Sequence, residues 1–294
     1  TVNSNPTVGA TAAPGVICVG SSAVITATGA TSYTWLPGSL AGASQTVSPA
    51  STTIYTVTGS SSGCSSTATV QVTVNTLPSL TAGTNPTAVC LGASATLSAT
   101  GGTSYTWQPG ALSGANVTVT PAVNTVYTVT AVNAAGCIAT QTVQLIVNPV
   151  PSVSVSPNNF SICAGGSVNL TASGASVYSW TPGSLISPTI SAGPTVTTVY
   201  TVTGANAFGC LGTANATVNV QVLPVVNITA SSTLICPGTS ATLTGNGTTS
   251  YSWSTGSTNT TIVVSPSVTT TYSLVGSNGV CSSTAAAVTI SLNA

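Results

Sequence analysis

Eight cysteines are the residues of this 294-residue chain best suited to covalent chemistry, and they are regularly spaced. They fall as four pairs: Cys18 and Cys64, Cys90 and Cys137, Cys163 and Cys210, Cys236 and Cys281. The chain has no His, Asp or Glu to complete a metal site, and no short paired spacing brings four thiols together, which sets zinc aside. An even count at fixed intervals is the pattern of a disulfide framework formed in an oxidising compartment. All eight are therefore expected in disulfides.

Other chemistry is bounded by what is missing. Without Lys, Arg, Asp, Glu or His, only Ser, Thr, Tyr and Cys remain as reactive groups. General acid–base catalysis needs a group that titrates near the working pH, and a triad needs a base, so no enzyme, no catalytic residue and no cofactor is expected. Nucleic acid cannot be gripped through its phosphates without cations, and anionic lipid head groups fail for the same reason. No run approaches the roughly 18 apolar residues of a membrane helix, so membrane insertion is not expected either. Hydroxyl replaces charge: about a third of the residues are Ser or Thr.

The elements that must position the cysteines are marked by a motif written four times. It reads Gly29-Ala30-Thr31-Ser32-Tyr33-Thr34-Trp35-Leu36-Pro37-Gly38, and returns around Tyr105 and Trp107, Tyr178 and Trp180, and Tyr251 and Trp253. The four tryptophans are spaced by 72, 73 and 73 residues, the signature of a tandem array. Each first cysteine lies 17 residues before its Trp. Each second cysteine lies 9 or 10 residues after a second tyrosine, Tyr55, Tyr127, Tyr200 or Tyr272.

Within a repeat the reading is β throughout, with short Val-, Thr-, Tyr- and Ile-rich runs between Gly, Pro, Asn and Ser clusters. In the first repeat strands are expected near Ala23–Thr28, Ser32–Leu36, Ser44–Val47, Thr53–Gly59 and Thr67–Val74, after an irregular opening strand around Thr7–Ala12. The pattern implies an all-β chain: a tandem array of four small antiparallel immunoglobulin-like β-sandwiches, 1–75, 76–148, 149–221 and 222–294. Alternation in Tyr55-Thr56-Val57-Thr58 sends Tyr and Val to the core and the threonines outward. Short proline-marked joints, such as Asn75-Thr76-Leu77-Pro78, predict units stacked in a stiff rod. Val2-Asn3-Ser4-Asn5-Pro6 aligns with Val74-Asn75-Thr76-Leu77-Pro78, so the chain reads as a piece in phase with a longer array.

Two disulfide schemes fit. Pairing within a repeat would close loops of about 46 residues. Pairing between neighbours would join Cys18 to Cys137, Cys90 to Cys210 and Cys163 to Cys281, with Cys64 and Cys236 serving units beyond these four. The spacing favours the second. Nine extended residues from the second Tyr carry the chain roughly 30 Å, away from the end where the first cysteine enters. A disulfide needs Cα atoms within about 7 Å.

The aromatics Tyr33, Trp35, Tyr55, Tyr105, Trp107, Tyr127, Tyr178, Trp180, Tyr200, Tyr251, Trp253 and Tyr272 are read as core residues, with the second-tyrosine set as inward-packing corner residues. A sugar-binding platform would need a Tyr and its Trp both exposed on one face. In Pro37-Gly38, Pro109-Gly110 and Pro182-Gly183, Pro presets φ and Gly supplies a positive one; Ser254-Thr255-Gly256 predicts a different loop. Seven of 19 asparagines stand in Asn-x-Ser/Thr, the proportion chance gives in so hydroxyl-rich a chain. Rows of Thr-x-Thr read as solvated sandwich faces.

Cys163-Ala164-Gly165-Gly166-Ser167-Val168-Asn169-Leu170-Thr171-Ala172, Tyr178-Ser179-Trp180-Thr181-Pro182-Gly183, Thr198-Val199-Tyr200-Thr201-Val202-Thr203 and Gly209-Cys210 together resemble the immunoglobulin-like repeats of giant surface proteins of Bacteroidota. Those include the gliding-motility adhesins exported by the type IX system. The resemblance covers all four repeats and implies an extracellular, filamentous or adhesive molecule at the cell surface or secreted. The expected function is structural: part of a long filament or adhesin stalk. Its expected partners are neighbouring repeats or copies of itself, and surface glycans if the segment is a binding module. The remaining alternative is a spacer of a larger secreted enzyme.

Overall fold

The computed structural model describes residues 3–293. Val2, at the head of the aligned opening segment, lies outside the described residues. The first repeat contains β1 (Gly9–Ala13), β2 (Val16–Cys18), β3 (Ala23–Thr28), β4 (Ser32–Leu36), β5 (Leu40–Ala41), β6 (Ser44–Val47), β7 (Thr53–Ser61) and β8 (Cys64–Asn75). They form one sheet in the order β1-β3-β6 and another in the order β2-β8-β7-β4-β5. Two facing sheets with this interleaved connectivity are an immunoglobulin-type sandwich. The second repeat has both sheets with the same strand count; the third and fourth have four strands in the larger sheet. The chain is all-β, a tandem of such sandwiches. By compactness it divides after Asn148, each unit holding two sandwiches.

Strand pairing follows from alternation. Along β7 the burial alternates, with Tyr55, Val57 and Gly59 inward and Thr56 and Thr58 outward. Cross-strand register then lines up hydroxyls on the outer face: Thr34 opposite Thr58, and Thr58 opposite Thr67. The same row returns as Thr106, Thr130 and Thr140 in the second repeat. Thr keeps strand propensity without charge, so it can coat a solvated sheet face.

Each repeat has its own apolar cluster. In the first, Ile25, Trp35, Val57 and Val72 are wholly buried at its centre. Burying an indole removes about 200 Å² from water, worth about 5 kcal/mol. Every Trp also satisfies its one polar atom: Nε1 of Trp35, Trp107, Trp180 and Trp253 donates to the carbonyls of Gly42, Gly114, Ser187 and Asn259 at 2.8–3.1 Å.

The first tyrosine of each motif makes the corner. Tyr33 Oη accepts from the amide of Ala30 and donates to its carbonyl, at 2.6 and 2.7 Å. Tyr105, Tyr178 and Tyr251 do the same with Gly102, Ala175 and Thr248. The corner therefore belongs to these residues rather than to the second-tyrosine set, because only they start a strand three residues after a turn. The glycine opening the motif is obligatory. Gly29 has φ +91°, and a Cβ there would strike the Thr7 carbonyl of the incoming segment. After Trp, Pro37, Pro109 and Pro182 follow cis peptide bonds, and Gly38, Gly110 and Gly183 take positive φ.

Candidate functional site

The junction between successive repeats is where the cysteines meet. β2 pairs in parallel with the end of β8, setting Cys18 beside Asn75. Cys64 opens the same β8, eleven residues earlier, so it lies roughly 35 Å from Cys18 along the strand. A bond within the repeat is excluded by that length. Cys18 instead joins Cys137 of the second repeat, with Cα atoms 5.7 Å apart. Cys163 joins Cys281 in the same way, at 5.6 Å. Cys90 and Cys210 are also disulfide-bonded.

Cys64 and Cys236, expected among the disulfide cysteines, carry free thiols here. The Cys18–Cys137 and Cys163–Cys281 bonds both run from the first cysteine of one repeat to the second cysteine of the next. On that rule the counterparts of Cys64 and Cys236 do not lie in these four repeats.

The loop presenting Cys137 is built by an asparagine. Asn133 Oδ1 accepts from the amides of Ala135 and Cys137, both at 3.0 Å, while Nδ2 donates to the Thr76 carbonyl in the joint at 2.8 Å. One side chain thus shapes the loop and ties it to the connecting segment. In the fourth repeat Asn278 repeats the arrangement, with Oδ1 receiving from Val280 and Cys281 and Nδ2 donating to the Val222 carbonyl. Asn206 Oδ1 likewise receives from Phe208 and Cys210, and its Nδ2 donates to the Pro149 carbonyl. These asparagines were not singled out by sequence reasoning. Their signal is an Asn three or four residues before the second cysteine in the last three repeats.

The first repeat lacks that asparagine. Ser62 and Gly63, with φ 49° and 82°, make a two-residue hairpin between β7 and β8. Positive φ at both positions is the primed turn suited to the twist of paired strands. Cys64 consequently sits half-exposed in a strand, whereas Cys137, Cys210 and Cys281 are buried.

The aromatic residues hold no ligand surface. Trp35, Trp107, Trp180 and Trp253 are buried, as are Tyr55, Tyr127, Tyr178 and Tyr251. Tyr33, Tyr105, Tyr200 and Tyr272 are half-buried against the cores. Burial raises the phenol pKa of Tyr55 and of Tyr127, because the charged form loses its water. Among the described residues no cluster of three or more metal-ligating side chains occurs.

No protein-family model matches the chain, and no curated protein matches it. Solved structures similar to it are remote. A Ca2+-stabilised adhesin with which an Antarctic bacterium binds ice is 14% identical, with a TM-score of 0.33, over 99% of this chain and 100% of that one. An I-band fragment of titin is 14% identical, with a TM-score of 0.35, over 70% of this chain and 94% of that one. The N-terminal eight immunoglobulin domains of Down Syndrome Cell Adhesion Molecule give 13% and 0.29, over 95% and 46%. At these values the likeness says nothing of activity or partner.

Proposed function

We propose that this chain is a non-enzymatic structural segment of a long extracellular filament or adhesin stalk, stiffened by disulfides and close stacking of its repeats. The observation that carries the reading is the Cys18–Cys137 bond, which spans the joint between two sandwiches. A disulfide within a sandwich would only stabilise that sandwich. One that spans a joint restrains the angle between neighbours, which is useful when the molecule must hold a length. Asn133 adds a second tie at the same joint through Thr76. Disulfides persist in oxidising surroundings, which supports a cell-surface or secreted location. Export by a type IX system from a member of the Bacteroidota belongs to the same reading.

A charge-free, hydroxyl-coated surface suits such a segment, because its packing should not change with pH or salt. The partners in this reading are neighbouring repeats and copies of the chain. Electron imaging of the native material without reductant tests it. Thin single files of beads of constant spacing support a stalk. Thick ordered fibres with several chains in cross-section would move the function to lateral assembly. Compact particles that change neither length nor flexibility on reduction would overturn the reading.

A further inference from the structure

Cys64 and Cys236 are each placed as one half of the joint seen between the first two repeats. At that joint Asn75 is flanked on both sides. Cys18 is its partner in the parallel register, and Cys137 Sγ lies 3.9 Å from its carbonyl. The two sulfurs bond beside it.

Asn3 stands to Cys64 as Asn75 stands to Cys137. Cys64 Sγ lies 3.5 Å from the Asn3 carbonyl, and Asn3 Nδ2 donates to the Ser62 carbonyl in the neighbouring turn. This half of the joint has the second-type cysteine. At the far end, Leu234 and Ile235 pair in parallel with Ser291 and Leu292, and the Asn293 amide donates to the Ile235 carbonyl. That sets Cys236 beside Asn293 as Cys18 sits beside Asn75. This half has the first-type cysteine. The exposures agree: Cys236 is exposed where Cys18 and Cys163 are half-buried, and Cys64 is half-buried where Cys137 and Cys281 are covered.

We infer that Cys64 and Cys236 are complementary halves of an intermolecular staple, through which Cys236 of one copy joins Cys64 of a second copy head to tail. The inference rests on the structural reading above and names its partner. The oxidant is a small disulfide such as oxidised glutathione. One thiolate attacks it, breaking its S–S bond and releasing one glutathione thiol. The second protein thiol then displaces the other glutathione, so the Cys64–Cys236 bond forms, and both protons end on the two glutathione thiols.

The test uses the full chain as Cys64→Ser, as Cys236→Ser, and as an equimolar mixture of the two, each treated with oxidised glutathione and run without reductant. Docking of complementary ends raises the effective concentration of the correct pair. The mixture should form a dimer at about tenfold the yield of either variant alone, and the wild type should form a ladder. Peptide mapping should find Cys64 linked to Cys236. Either variant dimerising alone as readily as the mixture, or a mixture that stays monomeric, overturns the inference. The same map reports Cys18–Cys137 and Cys163–Cys281. If those are intact while the mixture fails, only the intermolecular joint is wrong. If Cys18 is found bonded to Cys64, the structural reading falls with it.

Discussion

The turns leading into Cys64 and into Cys137 are equivalent by position and built differently. In the first repeat two residues of positive φ make a tight hairpin, and the cysteine continues a regular strand. In the second, Asn133 folds a wider loop around its own carbonyl oxygen and buries the cysteine beneath it. Only the second reaches across to the preceding repeat within the chain. The difference teaches that the sandwich itself does not require the asparagine loop. The loop serves the joint, and a sandwich folds with either turn.

The strongest way to break the comparison is to remove the bond. Replacing both Cys18 and Cys137 with Ser should destabilise the first unit by about 4 to 5 kcal/mol in the chain-entropy account, given the 119-residue separation. Cys64→Ser should change the same urea midpoint by less than about 0.5 kcal/mol. Equal effects would mean that the joint bond contributes nothing beyond a surface thiol.

Next in size is Asn133→Ala. It leaves two amides without their acceptor and cuts the tie to Thr76, and should cost about 2 kcal/mol. Ser61→Ala in the hairpin removes only an exposed hydroxyl that serves Thr31, and should cost about 0.5 kcal/mol. Thermal melts of the oxidised proteins rank the two, and the reverse order would show the hairpin to be the more demanding turn.

A third pair should not discriminate. Gly63 and Gly136 have φ of 82° and 78°, and a Cβ added at either would meet nothing within 4 Å. Alanine at each should cost about 1 kcal/mol from backbone strain alone. A larger loss at Gly136 would show that the joint constrains its loop backbone as well as its cysteine.

The smallest effect is the one with pH. With no carboxylate, imidazole or amine side chain, the melting midpoint should be flat between pH 4 and pH 8. Tyr55 and Tyr127 hold their protons more tightly folded than unfolded. Above about pH 10 the unfolded chain ionises first, so stability should fall as pH rises through the ordinary tyrosine value. Both units' midpoints should be followed by tyrosine fluorescence; a marked shift between pH 4 and pH 8 would show that another group titrates with folding.

Alternation and turn chemistry made much of this legible. Ala23–Thr28, Ser32–Leu36 and Ser44–Val47 coincide with the expected strands. The pieces that were not legible are those with too few residues to alternate. β2 has three residues and pairs in parallel with a strand about fifty residues away, yet it carries the cysteine that defines the joint. The corner went to the first tyrosines because a hydroxyl bond three residues back depends on where a strand begins, which periodicity resolves poorly. The core placement of the tryptophans needed only their spacing and their neighbours. The asparagine loops escaped because a lone Asn in a turn is commonplace, and its double use is visible only once Thr76 is beside it.

The staple from Cys18 to Cys137 also runs past the peptide that connects the two sandwiches, Asn75-Thr76-Leu77-Pro78. The chain is therefore covalently continuous there by two routes. A protease that severs the exposed Thr76–Leu77 bond would leave both sandwiches attached, and the fragments would part only after reduction. For a molecule living among secreted proteases, that is damage tolerance: a single backbone cut at this joint does not become a break.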